Sequence, residues 1–234
     1  MSDRKLNTAI IPAAGIGSRM HADRAKQMLE LGGVPLLVHT LRRFEECDAV
    51  DQVILVLQPS LTSEVLALLS KHNVKKISRV VGGGAERQDS VYHGLQVVRE
   101  EMAGIIIVHD AARPFIRAAE IQQIVERAEA KGAAIMASPA VDTIKQVKKS
   151  TIRRTLDRKQ IYLAQTPQAF RYDIIKEAYE HAYKDGFRAT DDAQLVERIR
   201  HKISVVEGSP INIKITRPFD LEIAEVIHRE FFTL

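Results

Sequence analysis

Two small-residue loops, one acid and a scatter of cations carry the chemistry this chain could do. PAAGIGSRM, residues 12–20, sets alanines and glycines before Arg19, and Lys26 follows seven residues later. Amides in such a loop can face phosphate oxygens, and the two cations would attract a polyanion. Taken alone, a Gly-x-Gly pair is an ordinary turn more often than a site. The third glycine of the dinucleotide fingerprint is replaced by Met20, and the second strand ends LVLQPS, without the acid that would hold a ribose. The Gly-Lys-Ser/Thr that closes a triphosphatase phosphate loop is also missing.

GGGAERQDSVYHG, residues 82–94, follows a strand, and its glycines would let the backbone approach a flat ligand. It reads equally as a turn in which Asp89 or Ser90 caps a helix. In VHDAARPF, Asp110 and Arg113 stand at a strand's carboxyl end. An acid there suits magnesium beside a triphosphate, and it also suits a helix cap. Thr143, Arg158, Thr166, Thr190, Asp191 and Lys214 are each unremarkable alone. The eight histidines follow no metal-ligand spacing, and no Ser-His-Asp or Cys-His arrangement suggests a nucleophile.

The elements that must position these residues alternate. TAIIP (8–12), VDQVILVL (50–57), KKISRVV (75–81), GIIIVHD (104–110) and GAAIMASP (132–139) are near-continuous apolar runs, as parallel strands covered on both faces require. Between them, 35–47, 61–72, 88–101 and 118–131 carry apolar residues at helical spacing. The pattern predicts right-handed crossovers and a three-layer α/β sheet, with ligands beyond the carboxyl ends of its strands. From Ala140 to about Tyr162 the chain turns polar and basic, and two alternating runs around KKS predict a hairpin. An exposed two-stranded ribbon is marginal in water, so a second subunit is its natural support. Helices at 172–184 and 191–200, strands at 203–207 and 211–216, and a helix from about Pro218 complete the reading.

With 45% hydrophobic residues, the 234-residue chain can bury a sizeable core, as one large domain. Cys47 is the only cysteine, which excludes an intrachain disulfide and thiolate clusters. The start has no signal-like apolar core, and no run approaches the length of a membrane span. A cytoplasmic protein without membrane contact is expected. Between Lys145 and Lys159 the basic residues Lys145, Lys148, Lys149, Arg153, Arg154, Arg158 and Lys159 face one acid, Asp157. That stretch could contact nucleic acid, line a site for an anionic metabolite or be a solvated face. Single-strand nucleic-acid binding would ask for interleaved aromatic residues, and the stretch has only Tyr162 at its edge.

Taken together, PAAGIGSRM with Lys26, ERQDSV, VHDAARPF, DTIK, QTPQAF, TDDAQLVE and NIKIT resemble, in order and spacing, the 2-C-methyl-D-erythritol 4-phosphate cytidylyltransferase family, from about Ala9 to about Ala224. The resemblance implies a doubly wound, mostly parallel sheet of the nucleotide-diphospho-sugar transferase kind. It implies a single domain over 1–234, whose β-arm, 140–162, reaches a partner subunit in a homodimer. The implied substrates are cytidine 5′-triphosphate (CTP) and methylerythritol phosphate, with Mg2+ and no nucleic acid. By motif match, Arg19 and Lys26 stabilise the transition state, while Arg158 and Lys214 position the acceptor phosphate. Ala13, Ala14, Gly15, Gly17, Gly84 and Ser90 enclose the nucleotide, Arg113 lies near its triphosphate, and Asp110 binds the metal. Thr143, Thr166, Thr190 and Asp191 are expected on the acceptor side. Ala85 stands where some members carry an acid, which leaves main-chain carbonyls or Ser90 to read the cytosine amino group.

Overall fold

The computed structural model describes residues 4–15 and 25–232. In chain order the strands are β1 (Leu6–Pro12), β2 (Glu30–Leu31), β3 (Val34–Pro35), β4 (Gln52–Leu57), β5 (Ile77–Gly82), β6 (Ala103–Val108), β7 (Ala133–Pro139), β8 (Lys145–Lys148), β9 (Thr151–Thr155), β10 (Tyr162–Arg171) and β11 (Ser204–Glu207). The helices are α1 (Leu36–Glu45), α2 (Thr62–Lys71), α3 (Arg87–Gln96), α4 (Ala118–Lys131), α5 (Tyr172–Lys184), α6 (Asp192–Arg198) and α7 (Pro218–Phe231).

The central sheet has seven strands in the order β11-β7-β10-β6-β1-β4-β5. Side chains alternate across it. Ala9 and Ile11 of β1 pack with Leu37, Leu41 and Phe44 of α1, Val65 of α2 and Ile124 of α4. Ile10 packs on the other face with Val91 of α3, Ile175 of α5 and Val196 of α6. Period-two alternation inside an unbroken apolar run thus gives two cores, one per face.

From β1 the chain winds outward through β4 to β5, then crosses back to β6 on the opposite side of β1. Beyond the carboxyl ends of β1 and β6, where the winding reverses, such sheets hold their ligands. Ala13–Gly15 leave β1 at this point, and Asp110 lies two residues past the last residue of β6.

Two expectations are corrected. First, no strand forms over 211–216. Buried Ile215 donates its N–H to Ala112 O, and Arg113 donates to Asn212 O, so this backbone is held by loops rather than by a ladder. Second, β10 was not foreseen. It lies between β6 and β7 and is antiparallel to both, so β7 is not paired with the parallel set. Its ladder with β7 skips from Ala164 to Gln168, spanning Pro167, which has no N–H to donate. The expected hairpin is present. β8 and β9 pair antiparallel with each other, and all their residues are exposed. It grows from the end of β7 and returns into β10, with Tyr162 opposite Pro139.

α3 lies tight on the sheet. A Cβ at Gly94 would stand 2.7 Å from Ile10 Cγ2 and 3.4 Å from Val56 Cγ2, both core atoms. Alanine would gain about 1 kcal/mol of helix propensity, but overpacking a core costs typically 1–3 kcal/mol. Gly94→Ala should therefore lower stability by about 1–2 kcal/mol in denaturant titration. A more stable variant would show that α3 can lift from the sheet.

Candidate active site

A cleft of about 490 Å3 opens at this reversal point. Ala13, Ala14 and Gly15 line one side, and Gly83, Gly84 and Ser90 line another. The two loops touch. A Cβ on Gly83 would fall 2.1 Å from Ala14 Cβ, so only glycine permits that approach. The first loop is pinned by two side-chain amides. Gln27 Nε2 donates to Ala13 O at 2.6 Å, and Gln58 Nε2 donates to Ala14 O at 3.0 Å. The second is folded over the start of α3, where Gly84 N–H donates to Ser90 Oγ and Ser90 Oγ donates to Glu86 O. Glu86 and Asp89 form the capping box of that helix, so the capping role belongs to Asp89 and not Ser90.

Lys26, Arg87, Asp110 and Lys214 bring charge to the same cleft. Asp110 Oδ1 accepts from Arg87 Nε at 2.9 Å, and Oδ2 lies 2.7 Å from Lys214 Nζ and 3.8 Å from Arg113 Nε. Burial alone would push this carboxyl up. The three surrounding cations outweigh that and hold it far below the usual carboxylate range, so it is ionised whenever the protein is folded near neutrality. Its backbone N–H donates to the hydroxyl of buried Thr166 at 3.0 Å.

Other expected residues sit elsewhere. Arg113 is behind Asp110, its Nη1 donating to Asn212 O, and does not line the cleft. Thr166 supports Asp110 from β10. Asp191 caps α6 by accepting from Gln194 N–H and also accepts from Gln168 Nε2. Thr190 donates its N–H to Gln194 Oε1. Both are thus engaged in local structure away from the cleft lining. Thr143 and Arg158 belong to the exposed hairpin region, where Arg158 Nη1 donates to Val141 O. Gly17 and Arg19 lie outside the described residues. Arg87, Gln27 and Gln58 were missed as site residues. The quoted stretches ERQDSV and LVLQPS contain Arg87 and Gln58 without assigning them a role, because the partners of all three come together only in the fold.

No group of three His, Cys, Asp or Glu side chains forms a metal cage among the described residues. Of the two described acids that line the cleft, Glu86 and Asp110, the Asp110 carboxylate suits magnesium, which commonly binds one or two carboxylates together with substrate phosphates and water. Among the described residues, no histidine lines the cleft. His109, next to Asp110, is fully buried on Phe44, and burial lowers its pKa to about 4, so it is neutral.

A small-residue loop between cations at the reversal point of a mostly parallel α/β sheet suits the phosphates of a nucleotide. The model of the 2-C-methyl-D-erythritol 4-phosphate cytidylyltransferase family matches residues 7–230. The enzyme of that name from Bacillus cytotoxicus is 46% identical over 218 residues, covering 93% of this chain and 96% of that protein. The one from Geobacillus kaustophilus is 45% identical over 219 residues, covering 94% and 95%. Among solved structures, 4-diphosphocytidyl-2C-methyl-D-erythritol synthase from Anaerococcus prevotii is 30% identical with a TM-score of 0.86, covering 96% of each chain. The cytidylyltransferase from Thermus thermophilus is 32% identical with a TM-score of 0.78, covering 96% of this chain and 99% of that one. The chain belongs to the 2-C-methyl-D-erythritol 4-phosphate cytidylyltransferase family. No helix among the described residues is long and apolar enough to cross a membrane.

Proposed function

We propose that this protein transfers the cytidylyl group of CTP to 2-C-methyl-D-erythritol 4-phosphate, forming 4-diphosphocytidyl-2-C-methyl-D-erythritol and pyrophosphate in isoprenoid biosynthesis. The observation that carries the reading is that Lys26 and Lys214 line one cleft with Asp110, above the two touching small-residue loops. A phosphate monoester has its second pKa near 6 and is largely a dianion at neutral pH. It is already a nucleophile and needs no general base. An acceptor oxygen attacks the α-phosphorus, one P–O bond forms, and the bond to the β-phosphate oxygen breaks to release pyrophosphate.

The obstacle is repulsion between anions. One pair of unit charges about 4 Å apart costs on the order of 4 kcal/mol at an effective dielectric near 20. Lys26 and Arg19 offset it on the triphosphate side, and Lys214 with Arg158 on the acceptor side. Asp110 would hold a magnesium ion, which supplies further positive charge to the triphosphate oxygens when bound. Catalysis is then placement plus electrostatic stabilisation.

Arg158 and Thr143 act, in this reading, through a homodimer in which each hairpin reaches the partner's cleft. Support comes from the large apolar side chains left in water on and beside it: Val141, Val147, Ile152, Tyr162 and Leu163 are all exposed, Ile152 by 60%. Apolar clusters of this kind mark interaction surfaces. Light scattering should return twice the chain mass, and a fully active monomer would contradict the arrangement. Arg158→Ala should chiefly raise KM for the methylerythritol substrate, whereas a large loss of CTP affinity would count against its role. The lone thiol of Cys47, buried and with its pKa raised by that burial, suits a cytoplasmic protein. Following pyrophosphate release with each nucleoside triphosphate and with methylerythritol phosphate or ribitol 5-phosphate tests the whole assignment. Release with ribitol 5-phosphate alone would replace the acceptor, and no release with any pair would sink the activity.

A further inference from the structure

Arg87 opens α3 at the back of the cleft, and its fork holds two acids at once. Nε donates to Asp110 Oδ1 at 2.9 Å, while Nη2 lies 2.8 Å from Oδ2 of Asp192, whose side chain is only 1% exposed. Asp192 is fixed in turn by the hydroxyl of Tyr179, which donates to its Oδ1 at 2.6 Å from the core of α5. An unbroken polar chain therefore runs Tyr179–Asp192–Arg87–Asp110, from the hydrophobic core to the cleft. At its end, Asp110 has one oxygen tied to this chain and the other turned to Lys214. Gly94 draws α3 against β1, which sets where the guanidinium can stand.

We infer that Arg87 is a positioning residue for the transfer reaction: anchored by Asp192, it fixes the direction of the Asp110 carboxylate and so leaves Oδ2 facing Lys214 and the cleft. The charges agree with this division. Arg87, Arg113 and Lys214 surround one carboxylate, an excess of positive charge that Asp192 reduces from behind. A rigid planar fork can bind two carboxylates in fixed directions, which a lysine ammonium on a flexible stem cannot do. Groups one step removed from a reacting centre commonly change activity 10–100-fold when removed.

The inference rests on the reading of the cleft as a cytidylyl-transfer site, and the experiment separates the two. If the unaltered protein releases no pyrophosphate from CTP and methylerythritol phosphate, the activity assignment fails. The decisive variant is Arg87→Gln combined with Asp192→Asn, which removes both charges together and leaves no unpaired buried ion. Its thermal midpoint should stay close to that of the unaltered protein while kcat falls about 10–100-fold. KM for CTP should change by no more than about threefold, since uniform binding is kept. A folded double variant with undiminished kcat would overturn the positioning role. Arg87→Lys serves as the second arm, and decides alone if the double variant does not fold. Persistent loss of kcat in a folded Arg87→Lys supports the fork, and recovery of normal turnover by this charge-conserving change overturns it.

Discussion

Replacing Lys26 by alanine should slow turnover by about two to three orders of magnitude and leave the fold intact. The residue lines the cleft beside Ala13 and Gln27, in a short helical turn whose backbone is held by Met28 and Leu29 N–H groups donating back to Ala25 and Lys26. Both of these bonds are between backbone groups, so they survive the change to alanine. As bonding to the α-phosphorus changes, negative charge moves onto the departing pyrophosphate, and a fixed cation is worth more there than in the ground state. Loss of a comparable preorganised donor costs roughly 2.7–4 kcal/mol, the basis of the stated factor. Steady-state kinetics should show the loss in kcat more than in KM. Near-normal turnover in Lys26→Ala, with circular dichroism unchanged, would remove the residue from the chemistry.

The second large effect is on stability in mild acid. His39 and His109 are buried, and burial lowers each ring's pKa from about 6.5 to about 4. His39 Nε2 donates to Leu31 O and His109 Nε2 donates to Arg113 O, which places the proton of each neutral ring on Nε2. In the unfolded chain both rings take up a proton as pH falls through about 6.5, while the folded protein refuses it until about 4. The unfolded state then binds more protons, so folding stability falls as pH falls across this window. It is full above about 6.5. Each ring contributes roughly 3 kcal/mol over the whole window, and roughly 2 kcal/mol of that is gone by pH 5. The carboxylates act elsewhere. Asp89 and Asp110 have lowered pKa values, so their contribution persists above the ordinary carboxylate range and is lost only at stronger acid. Lowering pH from 7 to 5 should therefore reduce the thermal midpoint by roughly ten degrees. A midpoint that does not move over that interval would show that both rings are already charged, or reach water, in the folded protein.

The parallel strands were legible because doubly covered strands read as continuous apolar runs, and β1, β4 and β6 are such runs. β10 was illegible for the opposite reason. Its central residues Gln165, Thr166 and Gln168 are polar yet buried, each satisfied by a distant partner: Ser209 O, Asp110 N–H, and Asp191 with Ala193 N–H. A hydrophobicity pattern cannot register polar groups that are matched only after folding. The segment 211–216 misled in the reverse sense, since its alternating isoleucines imitate a strand. Asn212 instead turns inward to donate to Thr166 O, and the chain passes over the end of the sheet without joining it. The loops of the cleft were readable because glycine and small residues advertise close approach. Arg87 was not, because its meaning lies in Asp110 and Asp192, which only the fold brings beside it.

The hairpin is rooted in β10, and four residues after Tyr162 the same strand carries Thr166, whose hydroxyl receives the Asp110 N–H. The root of the hairpin and the acidic corner of the cleft therefore share a single length of backbone, held by β7 at Tyr162–Ala164 and by both neighbouring strands from Gln168 onward. If each hairpin reaches a partner's cleft as proposed, whatever shifts its root at Tyr162 acts on the strand that also carries the Asp110 support, Thr166.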